Sequence, residues 1–347
     1  MLSAMPPAPN DARSRVRVVR VVVVGDLLLD VVIAPSRPLV AATDVPGRVS
    51  LRQGGSAANT ARWLARLGAR STLVTAVGRD SAGRALLSEV REDGVTVRAS
   101  RPPGQRTGRI GVILGADGER SFVADRGAAD LLAAADLKAA WFTRTDLLHL
   151  PFYSLIGSAL GGAGRRAAEL THAAGGLISV DLASSVPLLA DGRRAALARL
   201  AEIQPDVLFA TLAEVQALLG AGPLERLLGL APVVVVKRGA KGATLLARTA
   251  PNESVSTTER AALPDPPTHS RAPLVDARLR FDVATRAIEA ADTTGAGDAF
   301  DAGFIVTWLR ARAAGVPPSQ ALQRGALAGH QAAARQLAAP RTELTLG

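Results

Sequence analysis

Short unbroken apolar runs alternate along the chain with stretches in which apolar residues recur at helical spacing. Residues 18–24 are a β-branched run, interrupted only by Arg20 and ended by Gly25-Asp26, and they predict a buried strand. The apolar pattern continues over 27–33 with Asp30 in its middle, and 35–46 reads as loop. Over 56–67, Ala57, Ala61, Leu64 and Leu67 recur at helical spacing, and Gly68 stands where a helix would end. A strand over 71–77 and a short helix over 83–90 follow, stopped near Gly94. Apolar runs at 107–114 and 120–124 flank Ala116-Asp117-Gly118, a hairpin signal. Further on, strands are predicted over 147–150, 177–181, 207–210, 233–237 and 243–246, and helices over 164–174, 193–203 and 213–219. Residues 293–309 give a Gly-rich turn feeding an apolar helix, and 319–337 a last, alanine-rich helix. This alternation predicts an α/β protein with a largely parallel sheet. Residues 1–15 read as a flexible arm, and 251–282, with Pro264, Pro266, Pro267 and Pro273, as a long surface loop or insertion.

Composition narrows the function classes. The chain has 347 residues, 48% hydrophobic and 21% charged, which is ample for a globular core. With no cysteine it has no disulfide framework, thiolate nucleophile or cysteine-based zinc site. No apolar stretch approaches the roughly 20 residues of a membrane span. The first fifteen residues lack an apolar signal core, so the expected location is cytoplasmic. Net charge is 41 − 31 = +10. Only Lys138, Lys237 and Lys241 are lysines, the arginines are scattered among alanines, and aromatics make up 3%. A nucleic-acid surface is therefore not expected, although the charge helps draw in anionic substrates. The four histidines, His149, His172, His269 and His330, show no ligand spacing and read as structural.

Two segments carry chemistry. In Asp292-Thr293-Thr294-Gly295-Ala296-Gly297-Asp298-Ala299-Phe300, small residues and glycines lead into an apolar helix. Glycine lets backbone N–H groups crowd around an anion, and the helix N-terminus adds partial positive charge. Asp298 in the first turn would lie beside a bound phosphate, placed to accept a proton from an attacking hydroxyl. The plain alternative is a helix-capping acid after a tight turn. In Gln53-Gly54-Gly55-Ser56-Ala57-Ala58-Asn59, two glycines precede a helix of small residues, with Asn59 one turn in. That allows a ligand against the backbone, or merely close helix–sheet packing.

Together the segments resemble the PfkB (ribokinase-like) family of carbohydrate and nucleoside kinases. GGSAANTARWLARLGA with VTAVGRDSAGRALLSEVREDGV is similar to its first signature, DTTGAGDAFDAGF to its second, and VVVVKRGAKGATLL to its nucleotide-loop strand, over about residues 18–337. The resemblance implies a three-layer α/β/α domain over 16–347 with a largely parallel central sheet. It also implies a small β-sheet lid from about 30–53 and 106–126. It implies an ATP-dependent kinase acting with Mg2+ on a primary hydroxyl of a small sugar, with a nucleoside kinase, such as one for pseudouridine or adenosine, as the alternative. A non-catalytic binding relative is disfavoured by the intact Asp298 and glycine turn, and a nicotinamide-dependent dehydrogenase by the lack of G-x-G-x-x-G after the first strand.

Residue by residue, the resemblance makes Asp298 the base and the backbone of Gly295, Ala296 and Gly297 the anion hole. Asp30, Gly54, Gly55 and Asn59 would contact the sugar. Gly239 and Gly242 would form the nucleotide loop, with Lys237, where a threonine is usual, reaching a phosphate. Glu214 would act on Mg2+ indirectly. Its usual asparagine partner is Thr211 here, which either holds a metal-bound water or caps the following helix. Asp292 and Thr294 fall in the family's monovalent-cation site. The last helix reads Ala334-Arg335-Gln336-Leu337 where a glycine is common, which argues against potassium activation. Arg126, just after the lid segment, either meets a polar or anionic substrate group or is a solvated arginine, and Phe122, Phe152 and Tyr153 are the aromatics available to wall a base. The exposed edges of a lid sheet favour pairing, so the implied assembly is a homodimer through the lid.

Overall fold

The computed structural model describes residues 17–115, 120–248, 278–288, 290, 292–339 and 341–346. The expected N-terminal arm and the Asp117-Gly118 turn lie outside the described residues. The valine run forms β1 (Arg20–Val24). Its side chains alternate between two cores: Val21 and Val23 join one, Val22 and Val24 the other. A strand buried on both faces needs such a run, and each fully buried valine or leucine contributes about 1.5–3 kcal/mol. Next come β2 (Leu28–Pro35), β3 (Gly47–Gly54), α1 (Ser56–Arg66), β4 (Arg70–Ala76), α2 (Ser81–Glu92) and β5 (Thr96–Ser100). They are followed by β6 (Thr107–Leu114), β7 (Arg120–Gly127), β8 (Leu147–Pro151), α3 (Ala159–Ala173) and β9 (Leu177–Asp181). Then α4 (Ser185–Leu188), α5 (Arg193–Ile203), β10 (Val207–Thr211), α6 (Leu212–Leu219), β11 (Val233–Lys237) and β12 (Ala243–Arg248) complete the middle of the chain. The last elements are β13 (Arg278–Val283), α7 (Ala296–Ala313) and α8 (Pro318–Ala338).

A nine-stranded sheet runs in the order β13-β12-β11-β10-β9-β8-β1-β4-β5. From β11 to β5 all neighbours are parallel, and β12 and β13 add antiparallel pairs at one edge. One face carries the core lined by α1, α2, α7 and α8; the other packs on α3, α5 and α6. The architecture is thus α/β/α, as expected. A separate four-stranded sheet, β3-β2-β6-β7, forms the lid. Its β6–β7 pair is the hairpin read from the sequence. Asp80, which caps α2 by accepting from Gly83 N at 2.9 Å, also accepts from Thr107 N at 2.9 Å and so pins the root of β6.

Two expectations need correction. The insertion does not extend to residue 282, because Arg278–Val283 is a strand paired with β12. Leu279, Phe281 and Val283 alternate with polar residues there, a period that the neighbouring prolines obscured. The remainder of that stretch, 251–277, lies outside the described residues. Strand β3 falls in the span expected of the lid, although no apolar period marks it, whereas β5 was not anticipated; both are only partly buried and carry few apolar residues. Among the described residues no helix is long and apolar enough to cross a membrane.

Candidate active site

Helix α1 begins against the end of β1, and α7 begins beside it; their two first turns build the centre of the site. Gly295 takes a left-handed conformation (φ 78°) as the N-cap of α7, so Ala296, Gly297 and Asp298 are its first three residues. A carboxylate there complements the partial positive charge of the helix end. Asp298 Oδ1 accepts from Ser56 Oγ at 2.6 Å, and Oδ2 from Asn59 Nδ2 at 2.8 Å. Burial pushes its carboxyl up, the two hydrogen bonds pull it back, and the result is about 6. Asp298 is thus ionised at neutral pH yet far more basic than an exposed aspartate.

A cavity of about 340 Å3 opens above Asp298, between the main sheet and the lid. Asp30, from β2, is buried in its wall, its carboxyl raised by burial against the pull of Arg341. Gly54 passes directly behind it: a Cβ there would sit 2.0 Å from Asp30 Oδ1. Gly55 has φ 100°, and a Cβ on it would meet Asp26 O at 2.5 Å. Both glycines are therefore dictated by close approach. Asp26, a carboxylate without a distinguishing motif in the sequence, is buried and accepts from Ala57 N at 3.1 Å. Its other oxygen lies 3.1 Å from Arg126 Nη1, and the Arg126 guanidinium lies 4.8 Å above the Tyr153 ring. Phe122 and Tyr153 line this cavity, whereas Phe152 turns into the core and is excluded as a wall.

Lys237, at the end of β11, lies between Asp181 Oδ1 (3.1 Å) and Asp301 Oδ1 (3.0 Å). Its ammonium would be 3.4 Å from a Cβ on Gly297, so it faces the N-terminus of α7. Burial opposes its charge, but Asp181, Asp301 and Glu214 hold it above the ordinary lysine range. Asp301 is raised by burial and by Asp181. Neither acid was anticipated. Asp301 had a usable signal, a charge within an apolar helix one turn beyond Asp298; Asp181 had only its place at a strand end.

A second cavity of about 410 Å3 shares Thr211, Lys237 and Gly297 with the first. The turn carrying Gly239 (φ 57°) and Gly242 (φ 86°) forms one side, and a Cβ on Gly242 would strike Val283 O at 2.1 Å. Phe300 and His330, edge to face at 5.0 Å, form another. His330 is therefore a wall residue of a cavity as well as structural. His149 is fully buried at Ser179 (2.9 Å), its ring pushed down to about 4 by burial. At α6 the capping alternative describes Thr211: its Oγ1 accepts from Glu214 N at 3.3 Å, and Glu214 Oε2 accepts from Thr211 N at 2.7 Å. Glu214, raised by burial and Asp181, also lines the first cavity. Asp292 and Thr294 face arginine: Arg120 of β7 bonds both.

Solved structures share this fold. An adenosine kinase from Sinorhizobium meliloti superposes with a TM-score of 0.73 over 93% of this chain and 96% of its own, at 23% identity. An E. coli protein described as a putative ribokinase II, in complex with ATP and Mg2+, gives 0.68 over 90% and 92%, at 24% identity. Among curated proteins, fructokinase-1 of Oryza sativa subsp. japonica is 37% identical over 164 residues, 46% of this chain and 50% of that protein. A probable fructokinase-4 of Arabidopsis thaliana is 33% identical over 167 residues, 47% and 50%. The chain spans about half the length of the curated relatives it matches. Residues 19–263 and 279–343 match the pfkB family of carbohydrate kinases, and the chain belongs to that family.

Proposed function

We propose that the protein transfers the γ-phosphate of ATP to a primary hydroxyl of a small sugar. The observation that carries this reading is Asp298 on the wall of the first cavity, next in the chain to Gly297, which lines both cavities, with its carboxylate oriented by Ser56 and Asn59. Asp298 takes the hydroxyl proton as the hydroxyl oxygen bonds to the γ-phosphorus; the bond from that phosphorus to the bridging oxygen breaks and ADP leaves. Backbone N–H groups at Gly295, Ala296 and Gly297 meet the charge on the transferring group, and Lys237 adds a fixed positive charge beside them. Asp26, Asp30, Asn59 and Arg126 offer the sugar both acceptors and donors. The second cavity holds the nucleotide against Phe300 and the Gly239–Gly242 turn.

Among the described residues no group of three or more metal-binding side chains gathers. Mg2+, when bound, would neutralise phosphate charge, and Glu214, which lines the first cavity, would be the carboxylate that acts on it indirectly. A nucleoside acceptor is the second reading, favoured by Phe122 and Tyr153 among the residues that line the acceptor cavity. Val49, Phe122 and Val123, all exposed on the lid, support a homodimer through it.

An ADP-release assay with Mg2+-ATP tests the reading, using fructose, ribose, 2-keto-3-deoxygluconate, adenosine, cytidine and pseudouridine as acceptors. Turnover of a sugar, lost in Asp298→Asn, is the expected result. Turnover of a nucleoside alone selects the second reading, and no turnover of any acceptor with intact ATP binding overturns the first.

A further inference from the structure

Asp292, Thr293 and Thr294 form the short connection into Gly295 and the first turn of α7. Their side-chain oxygens already have partners. Arg120, at the start of lid strand β7, places Nη1 3.2 Å from Asp292 Oδ1 and in contact with Thr294 Oγ1. Its Nη2 donates to Thr293 Oγ1 at 2.5 Å. Thr294 N donates to Asp292 Oδ1 at 2.9 Å. On the far side, Arg52 and Arg341 approach Asp292 Oδ2 at 3.6 and 3.9 Å. The Thr294 carbonyl accepts from Gln336 Nε2 at 3.0 Å, and Gln336 Oε1 is held by Trp63 Nε1 at 2.9 Å. Burial pushes the Asp292 carboxyl up, but Thr294, Arg341 and Arg120 bring it below the usual aspartate range.

These residues do not fit a monovalent cation. Such an ion needs oxygens free to turn toward it. Here the carboxylate faces three guanidinium groups, both threonine hydroxyls face Arg120, and the carbonyl faces an amide donor fixed by Trp63. A guanidinium suits this role because its planar fork offers several donors at once to neighbouring oxygens. It also arrives from the lid, not from the main domain.

We propose that Arg120 is a positioning residue that stands in for a monovalent cation: its guanidinium orders the 292–294 connection and hence the anion hole, so that lid closure and anion-hole assembly are one event. The inference rests on the kinase reading, since the anion hole matters only if a phosphoryl group is transferred. It predicts an enzyme indifferent to potassium.

The test compares wild type, Arg120→Met and Arg120→Lys in potassium, sodium and tetramethylammonium chloride at equal ionic strength. Wild-type kcat should agree within about twofold across the three salts, while Arg120→Met loses on the order of tenfold or more in kcat with little change in sugar KM. Arg120→Lys should recover part of that loss, as should free guanidinium ion added to Arg120→Met. A melting temperature close to wild type would separate positioning from a general loss of fold. Wild-type turnover that rises several-fold with potassium overturns the proposal. So does Arg120→Met with wild-type kcat, or a loss that neither lysine nor guanidinium restores. Should Arg120→Met fail to fold, the wild-type salt comparison and Arg120→Lys still decide. Calorimetric titration of wild type with Mg2+-ATP in the three salts needs no acceptor. If no acceptor is turned over, the kinase reading fails separately, and a potassium-dependent ATP affinity still overturns the role given to Arg120.

Discussion

Replacing Asp298 with asparagine keeps the shape of the side chain and removes its charge, so it separates what the carboxylate does for catalysis from what it costs the fold. The carboxyl is raised from 3.8 to about 6, chiefly by burial. At about 1.4 kcal/mol per pH unit that gap corresponds to ~3 kcal/mol of destabilisation at neutral pH, as an upper bound. Partial exposure at the cavity floor and the loss of one good acceptor for Ser56 or Asn59 reduce it to about 1–2 kcal/mol. A carboxyl raised in the folded state binds its proton more tightly there than in the unfolded chain. Its penalty is therefore small below about pH 4, grows between about pH 4 and 6, and is complete above that. Asp298→Asn should melt about 1–3 °C above wild type at pH 8. By about pH 4.5 that advantage should shrink to less than half. Turnover should fall by about 10²–10⁴-fold, the range for loss of a general base. Thermal melts at both pH values and an ADP-release assay read these outcomes. A variant less stable than wild type at pH 8, a gap that ignores pH, or turnover within threefold of wild type would refute the reasoning.

Lys237→Met should lower the melting temperature sharply, because removing one partner of a buried ion pair costs about 3–5 kcal/mol. Adding Asp301→Asn to it should restore much of the stability and none of the turnover, as thermal melts and kinetics would show. Gly54→Ala places a methyl 2.0 Å from Asp30 Oδ1. Sugar KM should then rise by about tenfold or more with ATP binding unchanged, measured by steady-state kinetics and calorimetry. Thr211→Ala removes the N-cap of α6 and should cost about 1 kcal/mol of stability while leaving kcat within a few-fold. A kcat collapse at unchanged stability would show that Thr211 serves the metal instead.

What was legible in the sequence is local; what was not depends on contacts between distant segments. The turn at Gly295–Gly297 and the pair Gly54–Gly55 could be read because their sterics are set within a few residues. The valine run of β1 predicted a buried strand for the same reason. Strand β3 belongs to an exposed lid, where no apolar period marks it, and Arg120, at the start of a lid strand that could be read, finds Asp292 across 172 residues of chain. The buried acids fall between these cases. Asp30 and Asp301 each sit inside an apolar run, and a carboxylate in such a place is costly unless partnered. That cost is visible in the sequence; the partner is not. Arg341 comes to Asp30 from the segment after α8, and Lys237 comes to Asp301 from the end of β11. An acid out of phase with its apolar surroundings therefore marks a site by its position in the sequence pattern. Which cation answers it, and so whether the acid meets substrate or is neutralised within the protein, is decided only by the fold.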